Sequence, residues 1–216
     1  MPQAFSQASV LAIKLAAIAS LVLVIGACFA ARWRMQPAAA IGEPVDQPIR
    51  FSHAHHVGDI GIDCRYCHAT VETSAFAGMP STQVCLNCHS QLFVDAPELA
   101  PLWRSLRTHR PLRWNRVHDL PDFVYFDHSI HIHKGVACQE CHGRVDRMPI
   151  TQREASLDMQ WCLACHRDAA HHLRPADQVF AMQPAAEPSD AEAQRLARAN
   201  ALLDVRRLTD CSTCHR

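Results

Sequence analysis

Residues 51–89 read FSHAHHVGDIGIDCRYCHATVETSAFAGMPSTQVCLNCH and contain the pattern Cys-x-x-Cys-His twice. The 216-residue chain has five copies of it, which use ten of its eleven cysteines. The copies are Cys64-Arg-Tyr-Cys67-His68, Cys85-Leu-Asn-Cys88-His89, Cys138-Gln-Glu-Cys141-His142, Cys162-Leu-Ala-Cys165-His166 and Cys211-Ser-Thr-Cys214-His215. This spacing is typical of haem c attachment, in which two thioethers hold the porphyrin and the adjacent His binds the iron. The sequence therefore predicts five covalently bound c-type haems.

Zinc sites and disulfides are the other common uses of dense cysteines. Zinc would take the Cys pairs two at a time, leave one of five unmatched, and require no His after every second Cys. The 21 basic and 21 acidic side chains cancel, so net charge indicates no polyanionic partner such as nucleic acid. The motifs thus favour haem over metal-ion or disulfide chemistry.

The stretch 51–89 has a second copy at residues 126–166. Phe126 follows Phe51 by 75 residues, and the two Cys-x-x-Cys-His motifs of each copy are offset by 74 and 77 residues. Both copies open with Phe-x-His-x-x-His. A near-constant offset predicts two copies of one two-haem unit. The fifth motif, at residues 211–215, lies outside the repeat.

Ten histidines remain after the five proximal ones, and each haem iron offers a sixth position. Four of the ten open the repeats, namely His53, His56, His128 and His131. Each pair is three residues apart, so both members lie on one face of a helical turn and can serve different haems. We predict these four as distal iron ligands. Two axial ligands saturate the iron and suit electron transfer, whereas an open position suits oxygen or nitrite chemistry.

The distal ligand of the fifth haem has several candidates. We predict His118, which stands just before the second repeat. The alternatives are His109, His133, His171, His172, Met148 and Met159. A Met ligand would raise the reduction potential of that haem relative to sites with two histidines.

Residues 10–31, VLAIKLAAIASLVLVIGACFAA, form the one long apolar run. As a helix, 22 residues span about 33 Å, enough for the hydrocarbon core of a bilayer. We predict a retained transmembrane helix after a cytoplasmic segment at 1–9. Two alternatives stay open: a cleaved signal peptide, and a lipoprotein in which processing leaves Cys28 lipidated. Because bacterial haem c attachment takes place outside the cytoplasmic membrane, the rest of the chain is expected on the periplasmic side.

The predicted fold class is a multihaem cytochrome c: mostly loops and short α-helices wrapped around five haems, with one N-terminal transmembrane helix and little or no β-sheet. Residues 32–48 are predicted as a linker and 49–216 as the pentahaem domain. The capping box Ser189-Asp-Ala-Glu192 predicts a helix that extends to about Leu208. Its Leu196, Ala199 and Leu203 should form one face that packs against the last haem.

The stretches 51–90, 117–149 (VHDLPDFVYFDHSIHIHKGVACQECHGRVDRMP) and 161–167 (WCLACHR) resemble the pentahaem cytochrome subunit of alternative complex III, a membrane quinol oxidoreductase. The resemblance covers roughly residues 49–170, the N-terminal helix and the fifth motif. It implies an electron-transfer subunit that relays electrons from quinol oxidation, and it matches the ligand assignments given above. It also implies an iron–sulfur subunit, a monohaem cytochrome c subunit and polytopic membrane subunits as partners, with a soluble cytochrome c or a terminal oxidase as acceptor.

Two other functions fit parts of the pattern. One is a self-sufficient membrane-anchored quinol dehydrogenase that feeds a periplasmic reductase. The other is a multihaem catalyst such as a nitrite reductase, which needs an open iron, and the chain has no Cys-x-x-Cys-Lys motif. Since no residue pattern suggests acid–base or nucleophilic work, we interpret the chain as a non-catalytic electron-transfer subunit.

Overall fold

The computed structural model describes residues 6–34, 41–183 and 188–215. The chain divides into two compact units, residues 1–38 and residues 39–216. Residues 1–5 of the predicted cytoplasmic segment, residues 35–40 of the predicted linker, and residues 184–187 and 216 of the predicted haem domain lie outside the described residues.

The described part of the first unit contains one long helix, α1 (Gln7–Arg34). Ser6 precedes it, and the Ser6 Oγ accepts a hydrogen bond from the Ser9 backbone N–H at 3.1 Å, which satisfies one of the free donors of the first turn. The span Gln7–Arg32 is long and apolar enough to cross a membrane, and none of it is buried against protein. The predicted helix at 10–31 is therefore confirmed as a helix.

The described part of the second unit consists of short helices joined by loops. These are α2 (Cys64–Cys67), α3 (Thr82–His89), α4 (Ala100–Thr108), α5 (His128–His133), α6 (Cys138–His142), α7 (Met159–Arg167), α8 (Asp190–Ala199), α9 (Val205–Leu208) and α10 (Cys211–Cys214). A π-helical turn spans Ala54–Asp59, and 3-10 turns occur at Pro97–Leu99, Val145–Arg147, Ala169–His172 and Ala176–Gln178.

Each Cys-x-x-Cys-His motif lies on one of these helices, and an aspartate begins most of them. Asp63, Asp158 and Asp210 precede or begin the helices of three motifs, and each carboxylate accepts a backbone N–H of the first turn. Asp127 does the same for α5, which bears the distal candidates of the second repeat. These caps allow helices of only four to nine residues to start at fixed positions.

Extended pairing is sparse among the described residues. It is limited to the isolated bridges Ile41↔Arg153, Pro44↔Gln152 and Val136↔Leu173, which confirms the prediction of little or no sheet. Two of the bridges involve the end of the predicted linker: the Gly42 N–H donates to the Arg153 carbonyl at 2.7 Å. Residues 41–45 are therefore hydrogen-bonded to the segment that follows the third motif.

The apolar side chains form only a small core. Leu173, Leu196 and Ala197 cluster together, with Val136 and Leu202 packed against them. Large apolar side chains elsewhere in the second unit stay exposed, for example Phe76, Leu92, Phe93 and Phe123. Such a small protein core agrees with a domain in which haem provides much of the buried apolar surface.

The predicted helix from residue 190 to about Leu208 is wrong in its second half. Ser189 does cap α8, since its Oγ accepts the Glu192 N–H at 3.4 Å, but α8 ends at Ala199. Ala201 adopts a positive φ of 55°, which breaks the helix before α9 begins. The buried face consists of Ala193, Leu196 and Ala197, whereas Leu203 is 58% exposed. Leu203 lies in the loop between α8 and α9, so it shares no helical face with Leu196.

Gly135 provides a stability test for the turn between α5 and α6. Its φ is +92°, and a Cβ there would lie 2.6 Å from the Arg174 carbonyl oxygen. Gly61 also has a positive φ (+78°), but a Cβ there would meet nothing within 4 Å. We expect Gly61→Ala to lower the free energy of unfolding by about 1 kcal/mol through backbone strain alone. Gly135→Ala should lower it by about 3 kcal/mol, because overpacking adds to the strain.

Urea unfolding of the holoprotein, followed by circular dichroism, measures both changes. Equal losses of unfolding free energy for the two variants would show that the close approach of the Arg174 carbonyl to Gly135 does not constrain this turn.

Candidate haem-binding sites

Backbone carbonyls orient four of the five proximal histidines. The Nδ1 atoms donate from His68 to Gly78 O (2.7 Å), from His89 to Leu92 O (3.2 Å), from His166 to Leu208 O (2.8 Å) and from His215 to Phe123 O (3.1 Å). A carbonyl only accepts, so the proton of each of these imidazoles is on Nδ1. The Nε2 lone pair is left free to bind a metal, as expected for a metal-ligating histidine.

The predicted distal histidines show the same arrangement. The Nδ1 atoms donate from His56 to Ser52 O (2.8 Å), from His128 to Ala75 O (2.8 Å) and from His131 to Asp127 O (2.7 Å). His53 Nδ1 lies 2.9 Å from the Thr151 Oγ1. His133, one of the alternatives for the fifth haem, donates from Nδ1 to Ser129 O in the same way but is exposed.

Three proximal–distal pairs face each other across a gap of constant width. The ring centroids are 6.2 Å apart for His56 and His89, 6.1 Å for His131 and His166, and 6.2 Å for His128 and His142. With metal–imidazole bonds of about 2 Å and about 1 Å from each bonding nitrogen to its ring centre, two trans imidazoles have centroids about 6 Å apart. The residues present therefore fit six-coordinate haem iron at these three places.

The fourth pair follows from the repeat. His53 and His68 correspond to His128 and His142 of the second copy. The pKa of His53 is lowered to about 4, first by burial and then by the nearby His68 and His56. His53 and His68 are thus neighbours, as their counterparts are.

Burial keeps several of these imidazoles neutral, which is the form that binds a metal. The pKa of His142 is lowered to about 3, mainly by burial and then by neighbouring histidines, of which His118 and His128 contribute most. Burial is also the largest cause that lowers the pKa of His131. These rings therefore carry no charge near neutral pH.

His118 lies against the third site. Its ring packs edge-on against His142 with centroids 4.3 Å apart, too close for an iron between the two rings. Its Nε2 is buried and has no hydrogen-bond partner, and burial lowers its pKa to about 4. Phe123 lies near His215, with ring centroids 5.9 Å apart. His118 as the ligand of the fifth haem stays a prediction.

The groups that hold the histidines were not found from the sequence. Thr151 and Ala75 come from different repeats and lie far from His53 and His128 in the chain. Most of the other partners are backbone carbonyls, which carry no residue signature. The offset of the repeat was the one signal that indicated a symmetric arrangement.

Zinc and disulfide chemistry find no support in the described residues. None of the eleven cysteines, all of which are described, forms a disulfide. No group of three or more His, Cys, Asp or Glu side chains in residues 6–34, 41–183 and 188–215 is placed to hold a metal ion. A structural zinc site uses four protein ligands, whereas haem iron needs only two beyond the porphyrin.

Comparison with known proteins gives an independent result. A family model described as cytochrome c7 and related cytochrome c matches residues 124–216. The chain is 36% identical over 126 residues to the multiheme cytochrome c subunit of a menaquinone reductase from Nitratidesulfovibrio vulgaris. That match covers 58% of this chain and 53% of the relative, so the chain spans about half the length of that relative.

The fold class is that of a multihaem cytochrome c, built in the described residues from helices and loops, with one apolar N-terminal helix. The match over residues 124–216 includes the third, fourth and fifth motifs. Cytochromes of this class carry covalently bound haem c, and the matched residues of this chain include three motifs of the kind that attaches it.

Thr151→Val tests whether the hydroxyl orients His53. Valine keeps the shape but removes the Oγ1, which leaves the Nδ1 of His53 without its partner at a cost of about 1–3 kcal/mol. We expect one low-spin haem signal in the electron paramagnetic resonance (EPR) spectrum to shift or become high-spin, because the partner of a ligating His fixes its orientation.

Thr108→Val is the matched control, since the Thr108 Oγ1 donates to the Arg104 carbonyl at 2.8 Å within α4, a helix that bears no Cys-x-x-Cys-His motif. A spectrum changed equally by both substitutions, or by neither, contradicts the role of Thr151.

Proposed function

We propose that this chain is an electron-transfer subunit of a membrane quinol oxidoreductase and that it carries five covalently bound c-type haems. The main support is the set of three histidine pairs whose ring centroids lie 6.1 or 6.2 Å apart. One member of each pair ends a Cys-x-x-Cys-His motif and the other opens a repeat. Attachment and two axial ligands would thus be provided at the same place.

The ten motif cysteines would form the thioethers, and His68, His89, His142, His166 and His215 would be the proximal ligands. His53, His56, His128 and His131 would be distal ligands, with His118 as the candidate for the fifth haem. Bound haem c would supply one-electron chemistry between ferric and ferrous iron. The paired imidazoles would occupy both axial positions, and their Nδ1 hydrogen bonds would hold each ring in place.

This arrangement suits transfer rather than bond-making catalysis. An iron with two axial histidines has no open position for oxygen or nitrite. We assign no acid–base or nucleophilic role to the side chains, so the chain would act as a non-catalytic subunit. Quinol chemistry would belong to the complex in which it is assembled.

Within this class we propose alternative complex III, on the motifs that resemble its pentahaem subunit. Electrons from quinol oxidation would pass to a soluble cytochrome c, a monohaem cytochrome c subunit or a terminal oxidase. Iron–sulfur and polytopic membrane subunits would be the other partners. Helix α1 would anchor the chain in the cytoplasmic membrane as a single span, with the haem domain on the periplasmic side.

A second candidate is electron flow in the opposite direction. The relative from Nitratidesulfovibrio vulgaris is a subunit of a menaquinone reductase, an activity that delivers electrons to quinone. The haem sites proposed here are compatible with either direction, because axial ligation does not fix which end receives electrons.

Purification of the tagged chain from its native membranes tests the assignment. We expect iron–sulfur and polytopic membrane subunits to co-purify. We also expect the haems of the purified complex to be reduced when it is mixed with quinol. The chain purified without partners should stay oxidised under the same quinol, because the proposal places the quinol site on other subunits.

Each other outcome identifies a different function. Quinol reduction by the isolated chain would favour the self-sufficient quinol dehydrogenase that feeds a periplasmic reductase. Haems of the complex that reduce added menaquinone, yet are not reduced by quinol, would favour the menaquinone reductase direction. A chain that purifies from membranes without partner subunits contradicts the proposed complex.

A further inference from the structure

We infer that the five haem attachment sites lie in one row whose order differs from their order along the chain. Each site takes the name of its first cysteine, and the row runs Cys85, Cys64, Cys138, Cys162, Cys211. The inference rests on the proposed function, since it takes each motif to carry a haem. Four links between neighbouring sites carry it.

The first link joins the Cys85 and Cys64 sites. Asn87, between the two cysteines of one motif, donates from Nδ2 to the Tyr66 hydroxyl of the other motif at 2.9 Å. The two motifs of the first repeat are therefore side by side.

The second link joins the repeats through their first sites. One distal histidine of each repeat contacts a residue of the other repeat. His53 of the first repeat contacts Thr151 of the second, and His128 of the second contacts Ala75 of the first. This reciprocity is what a pseudo-twofold relation between two copies produces.

The third link joins the Cys138 and Cys162 sites. His172, in the turn that follows the helix of the Cys162 site, lies with its Nδ1 3.4 Å from a carboxylate oxygen of Glu140, inside the Cys138 motif. The distal candidates of the two sites also lie on one short helix, α5, where His128 faces His142 and His131 faces His166.

The fourth link joins the Cys162 and Cys211 sites. The proximal His166 donates from Nδ1 to the carbonyl of Leu208, three residues before Cys211, at 2.8 Å. The fifth site therefore extends the row beyond the second repeat.

The order of the row follows from the two repeats. Each repeat contributes its first site to the interior and its second site to the outside, and the fifth site is added at one end. The ends are thus the Cys85 site, beside the exposed Leu92 and Phe93, and the Cys211 site, beside the exposed Phe123. Electrons that travel the full row enter at one of these ends and leave at the other.

Distal His→Met variants of the holoprotein test the order. A Met ligand raises the potential of its haem, so the first electron added in a redox titration rests there. The EPR signals of the haems next to it then change, because their spin coupling to that iron is lost. His56→Met places the electron at the Cys85 site, and His53→Met places it at the Cys64 site.

We expect His56→Met to change the signal of one other haem and His53→Met to change the signals of two. A row that followed the chain order would give the reverse, two for His56→Met and one for His53→Met. That reverse pattern, or equal numbers, would overturn the inferred order.

Intact mass of the unsubstituted chain separates this failure from failure of the proposed function. Five haems with the reversed pattern contradict the order alone, whereas fewer than five haems contradict the proposed function. If a Met variant does not retain its haems, an experimental structure of the unsubstituted holoprotein decides. The Cys64 haem must then lie beside the Cys138 haem, and a Cys85 haem beside the Cys138 haem in its place refutes the row.

Discussion

Two imidazoles that bind one iron from opposite sides must stay about 6 Å apart between ring centres, and the proposed haem sites would impose this distance on the rest of the second unit. Three histidine pairs meet it within 0.1 Å of one another, although their members come from segments about 30 residues apart or on different helices. Backbone carbonyls at fixed positions accept hydrogen bonds from five of the six rings, so the loops need a defined course even without sheet or long helices. A hydrogen bond from Nδ1 fixes both the ring orientation and the tautomer.

Attached haem would also account for the sparse protein core. The described residues have one small apolar cluster around Leu173, Leu196 and Ala197, while many large apolar side chains elsewhere remain exposed. Porphyrin faces are large and apolar, and they would cover such side chains once attached. The polypeptide then needs short capped helices that deliver cysteines and histidines, and Asp63, Asp127, Asp158 and Asp210 provide those caps.

Much of this arrangement could be predicted from local sequence, because haem attachment has a rigid spacing and the repeat has a near-constant offset. The motif helices, the scarcity of sheet and the apolar helix α1 follow from those patterns. Contacts between the repeats, such as His53 with Thr151, could not be predicted, since tertiary packing decides them. The break after Ala199 was missed because a capping box marks only where a helix begins. The place of His118 against His142 depends on packing in the same way.

The most direct test of the account is the number of haems on one polypeptide. Intact-mass analysis of the chain purified from its native membranes under denaturing conditions counts covalent adducts, because thioether-bound haem survives denaturation while other bound groups are lost. The account predicts a mass higher than the polypeptide by five haems. A mass equal to the bare polypeptide, or to one with four adducts or fewer, would contradict it.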